Sequence, residues 1–106
     1  MRARVSPTIY LIVAGAGDIT YGRIYNDILP TIIKDFDPQI VLVSAGYDIH
    51  KHDPLSAIRV TNDGVRSIVR GILNSVEAPF VFALEGGYNI PALEECINIT
   101  IEEMLH

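Results

Sequence analysis

Apolar residues along this chain follow two rhythms. In three short bursts they are nearly continuous, and between the bursts they recur every three or four positions, which predicts a βαβαβα order. The first strand is expected at about Thr8–Val13. A helix follows, with Ile24, Tyr25, Ile28, Leu29, Ile32, Ile33 and Phe36 on one face and Asp18 placed to cap it. Asp37-Pro38 stops that helix, because the residue before a proline avoids the helical region. The second strand, Ile40–Ser44, is a continuous apolar run of the kind buried on both faces of a parallel sheet.

A long loop, Ala45–Val60, leads to Thr61, the expected cap of a helix with Val65, Ile68, Val69, Ile72, Leu73 and Val76 on its apolar side. Ala78-Pro79 precedes a third strand, Phe80–Leu84, and a loop from Glu85 to Ile90. Pro91 suits a first helical turn, and Leu93, Cys96, Ile97, Ile101 and Met104 give the last helix its buried side. Right-handed crossovers bring the three strand-to-helix loops to one edge of the sheet, where open α/β folds bind ligands. That edge would collect Asp18, then Asp48, His50, His52 and Asp53, then Glu85, Gly86, Gly87, Tyr88 and Asn89.

Composition narrows the possibilities. At 106 residues the chain is one domain, and 49% hydrophobic residues with 16 isoleucines is more apolar surface than so small a body is expected to bury alone. Three parallel strands would leave two open edges, so a partner is expected, either a second copy or an N-terminal segment. A net charge of −5 with no Lys/Arg cluster argues against nucleic-acid binding. A single cysteine, Cys96, rules out an internal disulfide or a CxxC metal site and fits a cytoplasmic, reducing setting. Met1-Arg2-Ala3-Arg4 before an apolar run imitates a secretory signal, but the run flows into a loop and a helix, as a first strand would. No apolar run approaches the ~18 residues of a membrane span.

The loops carry the candidate chemistry. Gly15-Ala16-Gly17-Asp18 opens like a dinucleotide fingerprint, yet Thr20 stands where a third glycine belongs, and a tight turn is the plainer reading. In Ser44-Ala45-Gly46-Tyr47-Asp48-Ile49-His50-Lys51-His52, a carboxylate directly after a buried strand needs a compensating partner. Asp48 is therefore a metal ligand or a loop-bonding carboxylate. Its spacing of two from His50, repeated to His52, would allow a zinc site; the alternative is that both histidines are hydrogen-bonded or solvated. Asp53-Pro54 reads as turn chemistry. Gly86-Gly87 permits close backbone approach and aims Tyr88 either into the cleft, as a donor to a developing oxyanion, or over the sheet edge as packing.

These loops together resemble a known family. Ser44-Ala45-Gly46-Tyr47-Asp48-Ile49-His50, Asp53-Pro54-Leu55 and Leu84-Glu85-Gly86-Gly87-Tyr88-Asn89 resemble the C-terminal part of the histone deacetylase superfamily, which includes acetylpolyamine amidohydrolases and acetoin-utilisation proteins. The likeness runs from about residue 9 to 105. It implies the C-terminal third of an arginase/deacetylase-like fold, a three-layer α/β body with a small parallel sheet. It also implies that Asp48 is one of three zinc ligands, that Tyr88 polarises the acetyl carbonyl, and that Gly86 and Gly87 line the acyl channel. The reaction implied is hydrolysis of an N-acetyl amide, of acetyl-lysine or acetylpolyamine type. The family's upstream Asp-x-His ligand pair and His-His acid/base pair have no counterpart, since His50, His52 and His106 are the only histidines. The expectation is a truncated domain that holds no stable zinc and is inactive alone, with a noncatalytic, self-associating module as the alternative.

Overall fold

Strand pairing is set by the two apolar runs on either side of the central helix. The structure, a computed structural model, describes residues 12, 14–52 and 58–106. Val41–Ala45 (β1) and Phe80–Leu84 (β2) pair in parallel, in register from Val41 with Phe80 to Ala45 with Leu84. The strand expected at Thr8–Val13 lies outside the described residues apart from Ile12, which packs on the core. Val43, Ala45, Phe80 and Phe82 lean on the helices, whereas Leu42 and Val81, paired across the strands, stay 73% and 49% exposed. Burial on both faces is thus met on only one among the described residues, because the described helices gather on that side.

The first helical region is interrupted. Asp18–Arg23 (α1) passes through a π-helix, Ile24–Ile28, into Leu29–Phe36 (α2). Pro30 has no N–H to give the Asn26 carbonyl and its ring would crowd that carbonyl in a regular helix, so the wider turn removes a conflict. Leu29 N–H accordingly reaches back to the Ile24 carbonyl. The chain leaves α2 at Asp37, in the left-handed region at φ 53°, with its N–H on the Ile33 carbonyl at 2.9 Å. Asp18 does not cap α1, contrary to expectation: Gly17 is the cap position, and the carboxylate instead accepts the Thr61 N–H at 2.8 Å and the Thr61 hydroxyl.

Thr61 is the expected cap of α3 (Asn62–Leu73), accepting the Gly64 N–H at 3.2 Å. Val65, Ile68, Val69 and Ile72 bury the apolar side of α3, which packs between the π segment and the last helix. Gly71 permits that approach, since a methyl group there would strike the Tyr25 carbonyl. The last helix, α4 (Ile90–Met104), is capped by Asn89, whose Oδ1 accepts the Ala92 N–H at 3.0 Å, with Pro91 in its first turn.

Cys96 and Ile99 of α4 are buried as a helical stripe requires, but Ile101 and Met104 are 50% and 44% exposed. Their expected places on the buried side are taken by Thr100 and Glu103, polar groups that the interior satisfies. Thr100 donates to the Cys96 carbonyl at 2.8 Å, and Glu103 pairs with Arg66 at 2.7 Å and with Arg70. Arg66 also reaches Glu102 at 2.8 Å. Burial pushes the Cys96 thiol up to about 11, so it stays protonated at neutral pH.

Three outcomes follow for stability. Gly71→Ala is expected to cost about 1–3 kcal/mol in urea unfolding through overpacking. Gly22→Ala, whose added methyl would meet only the Ser67 hydroxyl at 4.0 Å, is expected to be neutral or stabilising by up to about 1 kcal/mol. Hydrogen bonding to Arg70, above all, holds the Glu103 carboxyl below the ordinary carboxylate range; burial opposes it, and the Arg66 hydrogen bond and the charges of both arginines add to the lowering. Its contribution is therefore complete above that range and is lost as pH falls through the depressed value. Thermal melts of Glu103→Gln against the parent chain should differ at pH 7 and converge in acid.

Candidate functional site

Parallel pairing carries both strand ends to one edge, and two further backbone bonds extend it into the loops. Glu85 N–H donates to the Ala45 carbonyl and Tyr47 N–H donates to the Gly86 carbonyl, each at 2.9 Å. The loop after β1 thereby lies against the loop after β2. Asp48 sits in a single 3₁₀ turn, Tyr47–Ile49, and is half-buried. Its Oδ1 lies 3.0 Å from where a Cβ would stand on Gly46, and its carboxyl atoms lie 3.5–3.7 Å from where one would stand on Gly86. Glycine at position 46 leaves room for the carboxylate, while Gly86 lies at ordinary contact distance from it. The structure thus brings Asp48 and Gly86 together.

Gly87 adopts φ +138°, a backbone that side-chain-bearing residues rarely take, and a Cβ there would press on Leu93 Cδ1 at 2.9 Å. Tyr88 follows at the same edge, 61% exposed, immediately before the Asn89 cap of α4. Tyr21 of α1 also belongs to this neighbourhood. Its phenol is raised above the ordinary tyrosine value first by burial, then by Tyr25 and by the charge of Asp48. Sequence reasoning missed Tyr21, although its position one turn after Asp18 was a usable signal.

The histidines behave differently. His50 is 2% exposed, its Nδ1 accepts the His52 backbone N–H at 3.2 Å, and its Nε2 donates to Asn62 Oδ1 at 2.7 Å. Both ring nitrogens are engaged, which fixes the Nε2–H tautomer. His52 is exposed and lies edge-on to His50, with ring centroids 5.2 Å apart. Asp53, Pro54 and Leu55 lie outside the described residues. In the first loop, Gly15 turns at φ +86° and Gly17 bridges to Arg59, with room for a Cβ limited by the Arg59 carbonyl at 3.1 Å.

Among the described residues, no three His, Cys, Asp or Glu side chains come together as a group that could hold a metal ion. Asp48 therefore has no two further His, Cys, Asp or Glu side chains gathered beside it among the described residues, and these residues do not by themselves fit a zinc ion. No helix among them is long and apolar enough to cross a membrane.

Residues 7–104 match the model of the histone deacetylase domain, and the chain belongs to that family. Histone deacetylase 18 of Arabidopsis thaliana is 36% identical over 93 residues, which are 84% of this chain and 14% of that protein. The crystal structure of the HDA15 HD domain superposes with a TM-score of 0.77 at 30% identity, covering 88% of this chain and 27% of the other. An acetylpolyamine aminohydrolase from Burkholderia pseudomallei superposes with a TM-score of 0.74 at 27% identity, over 85% of this chain and 26% of its own. The chain therefore spans about a quarter or less of the length of these relatives, and is a deacetylase-like fragment with an α/β fold.

Because Gly87 combines a positive φ with a close neighbour, Gly87→Ala is expected to destabilise by about 1–3 kcal/mol in chemical denaturation. Gly86→Ala meets only ordinary contacts of 3.5 Å or more and should cost clearly less. Equal losses would contradict this account of the loop.

Proposed function

We propose that this chain is the segment of a zinc-dependent N-acetyl amide hydrolase that contributes one acidic metal ligand, Asp48, and one phenol, Tyr88. The remaining ligands and the proton-transferring histidines come from an N-terminal segment or another chain. The observation that carries this reading is the backbone tie between the loops after β1 and β2, which sets the Asp48 carboxylate against Gly86, two residues before Tyr88. Asp48 supplies negative charge at the catalytic edge. The Tyr88 hydroxyl donates a hydrogen bond to the acetyl oxygen as negative charge develops there, a contribution of about 10²–10³-fold in rate. Gly86 and Gly87 line the acyl end of the substrate channel, and the substrate is an acetylated amine of the acetyl-lysine or acetylpolyamine type. A single cysteine, which has no partner for an internal disulfide, accords with a cytoplasmic, reducing setting. Alone, with one ligand and no general base, the chain holds no stoichiometric zinc and turns over no substrate.

A second reading, a noncatalytic module that self-associates, draws support from exposed apolar surface. Leu42 and Val81 stand bare on the outer sheet face, and a groove of about 330 Å³ between β2 and α4 is lined by Phe82, Leu84, Ile97, Ile101 and Met104 among others.

Metal analysis after zinc dialysis, together with hydrolysis of an acetyl-lysine reporter, tests the first reading. The expectation is far less than one zinc per chain and no turnover. Stoichiometric zinc, with turnover abolished by Asp48→Ala, would overturn the claim of inactivity. Adding the ligand-bearing N-terminal segment of a related deacetylase should restore hydrolysis, and Tyr88→Phe should then lower it by about 100-fold or more. If nothing is restored, and the chain dimerises in a manner lost in Leu42→Asp but kept in Tyr88→Phe, the interaction module is the better description.

A further inference from the structure

Asp48 stands in a 3₁₀ turn only three residues long, and such turns are held by poor hydrogen-bond geometry. The first residue of this turn and the residue that follows it nevertheless reach across the molecule. On one side, the Tyr47 hydroxyl lies 2.6 Å from Thr100 Oγ1. Thr100 spends its own proton on the Cys96 carbonyl, so Tyr47 is the donor. On the other side, the fully enclosed His50 donates through Nε2 to Asn62 Oδ1, and Asn62 Nδ2 in turn donates to Glu95 Oε2. Both connections end on α4. That helix begins at the Asn89 cap, directly after Tyr88.

We infer that the hydrogen-bonded chain from His50 through Asn62 to Glu95 is a strut that positions the Asp48 turn relative to Tyr88, with Tyr47 and Thr100 bracing the opposite side. The assignment rests on reading Asp48 and Tyr88 as the groups that act together. His50, Asn62 and Glu95 are positioning residues, since none is required to touch a substrate. His50 needs one acceptor for its Nε2 proton, and Asn62 already provides it. The extension from Asn62 to Glu95 satisfies no buried group; what it adds is a mechanical connection to the helix that carries the Tyr88 loop.

The test uses the chain with 3-fluorotyrosine in place of its five tyrosines, and follows the Tyr88 fluorine resonance, assigned by its absence in Tyr88→Phe. Glu95 is exposed, so its variants fold. Asn62→Ala and Glu95→Ala are expected to move or broaden the Tyr88 line by more than its width, while Glu95→Gln, which keeps an acceptor for Asn62, returns it to the parental position. A Tyr88 line unmoved in both alanine variants, even with a lowered thermal midpoint, would reduce the chain of bonds to local packing and overturn the strut. A line displaced equally in Glu95→Gln and Glu95→Ala would overturn it too, by making charge the cause. No metal or substrate enters the measurement, so it is decided independently of the hydrolysis experiment.

Discussion

The parallel ladder between β1 and β2 does not stop where the strands do, and the rest of this molecule depends on that. Its last two rungs, from Glu85 to Ala45 and from Tyr47 to Gly86, lie in the loops themselves. Loops usually run over the surface, free to vary. Here the backbone bonds hold two of them at a fixed separation, close enough that a Cβ on Gly86 would stand in van der Waals contact with the Asp48 carboxyl of the other loop. An acidic group beside a buried strand is tolerable because it faces this glycine-lined edge instead of the apolar interior.

Much of this was legible in the residues. Asp37-Pro38 ended its helix, Thr61 capped the next, and the apolar stripe of α3 became core, because each depends on local chemistry that tertiary contacts reinforce. The resemblance carried by the motifs around Asp48 and Tyr88 was confirmed at the level of family and fold. What escaped reading depends on partners far apart in the chain. Asp18 looks like a cap until Thr61, 43 residues on, takes both carboxylate oxygens. Periodicity placed Ile101 and Met104 inside, since it cannot know that Arg66 and Arg70 of another helix make an interior Glu103 acceptable. His50 reads either as a ligand or, more plainly, as a solvated or hydrogen-bonded loop histidine until Asn62 is seen opposite it.

Polar groups therefore organise the interior of α4 as much as apolar ones do. Its buried side alternates Cys96 and Ile99 with Thr100 and Glu103, each of the latter bonded to a different part of the fold. Such bonds add less net stability than their number suggests, because water is given up to make them, but they admit only one arrangement. A helix sliding by one turn would keep a greasy contact and lose every one of these partners. The helix that leads directly out of the Tyr88 loop is thus fixed in register as well as in orientation.

The π-helix has a further effect, on helical phase. One residue more per turn, at about 100° per residue, rotates everything after Ile28 relative to everything before it. Tyr21 can then face the Asp48 edge while Ile32 and Ile33 swing toward Ile40 and Leu42 beside β1. A single-residue deletion in this segment, which packs on α3, would leave composition almost untouched, yet would redirect every downstream side chain. Length there is as tightly constrained as identity is in the core.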